Sequence, residues 1–210
     1  MKHLFSVIAA LLLTASLAHA QKWEFQVFLE DSPIGHHHFA LRESGAEREL
    51  KTDARFDVKI LFINAYRYVH DASERWRGAC LTELTARTDA NGERTQVIAN
   101  QQDGRVTIDA TGNKGKKETA EGCIMTFAYW NPDILTQKRL LNTQTGKLEN
   151  VTITTVGDET VTVRGAPVAA KRYRISGPKH PIDLWYGADR QWLALQSTVD
   201  GGRRLRYQLK

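Results

Sequence analysis

From Phe56 to Ala86 the chain alternates with a period of two. Its even positions Phe56, Val58, Ile60, Phe62, Tyr66, Tyr68, His70, Glu74, Trp76, Cys80 and Leu84 are mostly apolar or aromatic, while the odd positions Asp57, Lys59, Arg67, Asp71, Arg75, Arg77, Glu83 and Arg87 are charged. Side chains on a strand alternate between faces. An extended backbone therefore sets the aromatics, with His70 and Glu74, on one side and the charges on the other. The even face is the wall of a core or of a pocket, and what lies in front of it decides what the molecule does.

The same alternation recurs along the chain and predicts a succession of short strands. Trp23 to Glu30 and His36 to Arg42 read as a first pair around the turn Asp31-Ser32-Pro33-Ile34-Gly35. Glu47 to Phe62 and Tyr66 to Thr88 follow as longer strands, and Asn91-Gly92 is a hairpin signal before Thr95 to Asn100 and Arg105 to Ala110. Thr111 to Gly122 is polar and lysine-rich, the pattern of an exposed loop or hairpin tip. One short helical segment is predicted near residues 131–142, with Asn131 as N-cap and Pro132 at the first helical position. Strands resume at Glu149 to Thr155, Thr160 to Arg164, Ala169 to Ser176, Ile182 to Tyr186, Gln191 to Val199 and Arg203 to Leu209. The arginines of the last one suggest a charged edge strand. The expected fold is mainly β: a single long antiparallel meander curled into a barrel or half-barrel, with the helical segment on its concave side.

The N-terminus modifies this picture. Lys2, an apolar run from Leu4 to Leu17 and the small-residue signal Ala18-His19-Ala20 read as a signal peptide over residues 1–20, leaving one domain over residues 21–210. The chain is then expected in the periplasm, without a transmembrane segment after cleavage. Removing Lys2 lowers the formal charge from +5 to +4, spread along the chain with no polybasic arm, which argues against a nucleic-acid partner. The two cysteines, Cys80 and Cys123, are an even count in an oxidising compartment and are expected to form a disulfide.

Three sets of residues could carry chemistry. In His36-His37-His38, a strand puts His36 and His38 on one face, so these two are the candidate metal ligands; no acidic or cysteine ligand stands near them in sequence. His70 and Glu74 share the aromatic face and are candidates for a general acid and base, against the alternative of a buried, satisfied polar pair. No nucleophile elbow or metalloprotease motif accompanies them. The third set is aromatic. Tyr66, Tyr68, Trp76, Tyr129, Trp130 and Trp185 either pack a core or line a site for an amphipathic ligand.

The order of motifs resembles a family of exported bacterial proteins of unknown function. The resemblance rests on Leu29-Glu30-Asp31-Ser32-Pro33-Ile34-Gly35 with His37 and Phe39, on Phe56-Asp57-Val58-Lys59 with Tyr66-Arg67-Tyr68, and on Glu74-Arg75-Trp76 with Cys80-Leu81. Phe127 to Pro132, Leu140 to Gly146, and Asp183-Leu184-Trp185-Tyr186 with Trp192-Leu193 complete it. The curved sheet is more distantly similar to the LolA and LolB lipoprotein carriers, whose half-barrels cover an apolar cavity with several helices. The reading that follows is a periplasmic, non-catalytic module that binds a hydrophobic or amphipathic molecule, such as a lipid, in the concave face, with no cofactor. Two alternatives stay open: an envelope structural or adaptor protein that binds another protein, and a hydrolase or isomerase using His70 and Glu74.

Overall fold

The computed structural model describes residues 19–60, 63–112 and 116–210. Most of the expected signal peptide, residues 1–18, lies outside the described residues. A first antiparallel meander runs through β1 (His19–Leu29), β2 (Ser32–Ser44), β3 (Glu47–Ile60), β4 (Ile63–Arg77), β5 (Cys80–Ala90), β6 (Glu93–Gln102), β7 (Arg105–Thr111) and β8 (Lys116–Glu121). Residues 122–151 then leave the sheet and carry a 3-10 turn, Pro132–Thr136, and the paired short strands β9 (Arg139–Leu141) and β10 (Leu148–Asn150). A second meander follows in β11 (Thr152–Val163), β12 (Ala166–Ser176), β13 (Ile182–Tyr186), β14 (Trp192–Thr198) and β15 (Arg204–Leu209).

β15 joins the two meanders. It pairs with β14 on one side and with β1 on the other, with Leu29 opposite Leu205 and Phe25 opposite Leu209. Among the described residues the result is one 13-stranded sheet in the order β11-β12-β13-β14-β15-β1-β2-β3-β4-β5-β6-β7-β8, which does not close into a barrel. The mainly β, antiparallel fold expected from the alternation is what the chain forms. Its C-terminal strand is central, however, and the edges are β8 and β11. The arginines of β15 mark an outward face: Arg206 lies over the Phe28 ring at 5.5 Å and reaches Asp31 at 3.1 Å.

Other differences have local causes. Thr111 to Gly122 contains the strand β8, whose Ala120 is buried against the core. The span Tyr66 to Thr88 is two strands around a turn at Gly78-Ala79, with Gly78 at φ 59°. A bulge between Arg75 and Trp76 shifts the register, so Leu84 and Ala86 face inward with Glu74 and Trp76, and even parity survives the turn. Asn131 caps the 3-10 turn by accepting from the Asp133 N–H at 3.1 Å, with Pro132 at its first position as expected. Leu140 and Leu141 belong to β9, not to a helix.

The concave face is filled over part of its length. Trp76, Leu84, Val97 and Ile108 from one arm of the sheet face Ile175, Leu184 and Trp192 from the other, and Met125, Ile134, Leu140 and Leu141 of the inserted segment lie between them. None of these is more than 1% exposed. The insert is fastened where it leaves the sheet. Cys80 and Cys123 form the expected disulfide with Cα atoms 4.9 Å apart, and Leu81 donates its N–H to Ile124 O at 2.9 Å. Closing a loop across 43 residues contributes about 4 kcal/mol in the chain-entropy model.

Candidate functional site: a hollow at one end of the concave face

The inserted segment does not cover the whole concave face. Beyond it, β1 to β4 and β15 line a cavity of about 660 Å³, whose walls include Leu29, Ile34, Phe56, Val58, Tyr66, Tyr68, Leu205 and Tyr207. The alternation puts these side chains there: Phe56 and Tyr68 are cross-strand partners with stacked rings 5.1 Å apart, and Tyr207 meets Phe56 edge-on at 6.4 Å. Phe56 and Tyr68 pack with Val27 and Ala54 in an apolar cluster separate from the main core. Asp200, Arg203 and, from the insert, Gln144 add polar lining, and His37, Ala65 and Val199 complete it.

His37 stands at the inner end. It points inward, opposite to its neighbours, and its ring stacks on Phe39 at 4.1 Å. Its Nδ1 lies 3.3 Å from the Tyr207 hydroxyl, while its buried Nε2 has no partner among the described residues. Burial, and then the nearby imidazoles His70, His38 and His36, hold its pKa well below the ordinary value, so the ring is neutral. Burial likewise holds the Tyr68 and Tyr207 hydroxyls in their neutral form.

His37 and Gln144 also line a second, smaller cavity of about 160 Å³ between the sheet and the insert, together with His70, Glu74, Tyr129 and Trp130. His70 and Glu74 both reach this space, but they do not pair with each other. The two residues are four apart on one strand, which separates them by about 13 Å along β4. His70 Nδ1 is 2.9 Å from Thr88 Oγ1, whereas Glu74 Oε2 accepts from Trp76 Nε1 at 3.0 Å and from Thr126 Oγ1 at 3.2 Å. Burial lowers the His70 pKa to about 4 and raises the Glu74 pKa to about 7; the bonds from Thr126 and Trp76 oppose the latter shift. Each is satisfied by neutral partners, in place of the Glu-His pair that the alternation allowed.

The aromatic candidates divide three ways. Tyr66 and Tyr68 line the large hollow. Tyr129 and Trp130 border the small cavity, with the Tyr129 carbonyl accepting from the Tyr186 hydroxyl at 2.7 Å. Trp76 lines neither: it is fully buried and packs edge-on against Trp130 at 5.6 Å, because the insert occupies the space in front of it. Trp185 lies on the other face of the sheet, in a cluster with Ala170 and Leu193 that Val161, Val163 and Val168 cover. There its indole donates to Glu159 at 2.8 Å and Arg172 lies over its ring at 5.1 Å. Trp76 and Trp185 therefore do not belong to the hollow.

Ile34, Leu205 and Tyr207 were not among the candidates, and Phe56 and His37 stood in the sequence only as a member of the aromatic face and of the histidine run, not as lining of a ligand site. Phe56 and Tyr207 stand at apolar positions of their strands, so their inward direction was visible. That they meet was not, since 151 residues (207 minus 56) separate them. On the outer face, His36 and His38 stack at 4.3 Å as their shared parity implies, and β3 supplies Asp53 beside them.

The model for a domain of unknown function, DUF6134, matches residues 25–210. The chain belongs to the DUF6134 family. The expected membership of a family without assigned function is thus established, and this DUF6134 chain carries its hollow and its insert inside the matched span. Among solved structures it is similar to a β-barrel-like protein of another domain of unknown function, DUF1849, from Brucella abortus. That likeness has a TM-score of 0.63 at 11% identity and covers 92% of this chain and 96% of that one, which shows a shared fold. No curated protein matches the chain.

Proposed function

We propose that the protein is an exported, non-catalytic module that holds an amphipathic molecule, such as a lipid, in the hollow bounded by Phe56, Tyr68 and Tyr207. One observation carries this reading. A sheet whose concave face is packed by the insert over much of its length leaves a cavity of about 660 Å³, walled by aromatic and aliphatic side chains, with a buried imidazole nitrogen at its inner end that lacks a partner among the described residues. That volume falls within the range of small-molecule sites, and a mostly apolar wall with few polar groups is their usual composition. An apolar body would rest on the rings, and a hydroxyl or carbonyl would satisfy His37 Nε2. The analogy with lipoprotein carriers is one of architecture: a curved sheet around an apolar space. The internal disulfide supports an oxidising location and hence the export reading.

The separate surroundings of His70 and Glu74 favour binding over hydrolysis, since a base and its orienting partner need to meet within hydrogen-bond reach. A titration with the polarity-sensitive amphiphile anilinonaphthalene sulfonate tests the reading. The native chain is expected to bind one probe saturably, and Leu205→Trp, which thrusts an indole into the hollow beside Tyr207, to reduce that binding about tenfold or more. Equal binding by both proteins would overturn the assignment of the hollow.

A further inference from the structure

His36, His38 and Asp53 meet on the outer face of the sheet, remote in role from the hollow. The sequence shows a His-x-His pair on one strand and no acid nearby. Strand pairing supplies the acid, because His38 of β2 stands directly opposite Asp53 of β3. His36 Nε2 is 3.2 Å from Asp53 Oδ2, and His38 Nδ1 is 3.5 Å from Asp53 Oδ1. The three ligand atoms lie within 4.8 Å of one another. The two short distances run to different oxygens of the one carboxylate; four-coordinate zinc with bonds of 2.0–2.2 Å requires ligand atoms about 3.4 Å apart, a spacing that a rotation of the Asp53 carboxylate and the two rings reaches from the present 4.8 Å limit.

We propose that His36, His38 and Asp53 bind a divalent transition-metal ion of the zinc type. Two imidazoles and one carboxylate suit zinc, copper or nickel, and do not suit magnesium or calcium, which prefer all-oxygen shells. The stacked rings limit the rotamer freedom that binding would otherwise have to remove. β1 extends the row, since Glu24 pairs with His38 on the side away from Asp53 and lines the same surface hollow. Glu24 thus adds a further acid to the surroundings of His38, outside the three-residue group itself. The cations around this hollow are Lys22 and Lys51, of which Lys51 is drawn to Glu49 at 3.4 Å; Arg55, opposite His36, is held by Asp71 at 2.8 Å. The side chains of the three ligands keep 37%, 41% and 44% of their surface exposed, so an ion has access and substitution leaves the core intact.

The test is calorimetric titration of Zn²⁺ into the full chain, near neutral pH and without an affinity tag. The expected result is saturable one-to-one binding that His38→Ala and Asp53→Asn each weaken about tenfold or more. His180→Ala, which removes a second imidazole-carboxylate contact at Asp200, should leave it unchanged. Absence of saturable binding in the native chain would overturn the proposal, and so would binding that persists at full strength in both His38→Ala and Asp53→Asn.

Discussion

Two buried titratable groups on one strand face opposite electrostatic demands. Glu74 holds its proton in the fold up to about pH 7, whereas its unfolded counterpart releases it near the ordinary value of 4.5. Between these values the folded state carries the extra proton, so stability from Glu74 is fully present below 4.5 and is lost as pH rises through 7, by roughly 3 kcal/mol in all. His70 behaves in the opposite sense. Its folded pKa of about 4 lies below the ordinary 6.5, so its contribution is present above 6.5 and is lost as pH falls through 4. The windows overlap with opposite slopes, and the native chain should be nearly flat there. Denaturant unfolding of Glu74→Gln is expected to show stability increasing from about pH 5 to about pH 6.5, and that of His70→Gln to show it decreasing. Parallel profiles in the two variants would show that these side chains are not buried as described.

At the level of elements, most strands were legible because each buries one face and exposes the other. What escaped was whatever the period of two does not encode. The Gly78-Ala79 turn hid because the bulge at Arg75 and Trp76 restores even parity beyond it. The central position of β15 depends on pairing with β1, at the other end of the chain, and alternation within β15 carries no information about its partners. Trp185 lies in a strand buried on both faces, so its hydrophobicity did not reveal which side it faces. Gly35 shows a constraint that pairing explains: it adopts φ 153° opposite β3, and a Cβ there would lie 1.8 Å from Arg55 O. Gly35→Ala should therefore cost about 3 kcal/mol in denaturant unfolding, against about 1 kcal/mol for Gly45→Ala, where φ is 60° and nothing lies within 4 Å. Equal costs would mean that β2 and β3 do not approach this closely at Gly35.

At the scale of the whole molecule, the chain is a curled sheet with two kinds of interior. Toward Trp76 and Trp192 the disulfide-fastened insert packs the concave face apart from a small cavity of about 160 Å³, and toward Phe56 and Tyr207 the face opens into a hollow. The alternation from Phe56 to Ala86 announced this wall, but whether it bordered a core or a pocket depended on where residues 122–151 would come to rest. That segment has little regular structure and hence no period to read. It covers Trp76 and stops short of Tyr66 and Tyr68, so a single face serves both purposes. The open end is the part proposed to hold an amphipathic molecule. The most direct measurement is native mass spectrometry of the purified chain after incubation with a bacterial lipid extract, alongside Leu205→Trp. A discrete bound species of defined mass on the native chain, absent from the variant, is the expected result; a native chain that carries nothing, or a variant that carries the same species equally, would contradict it.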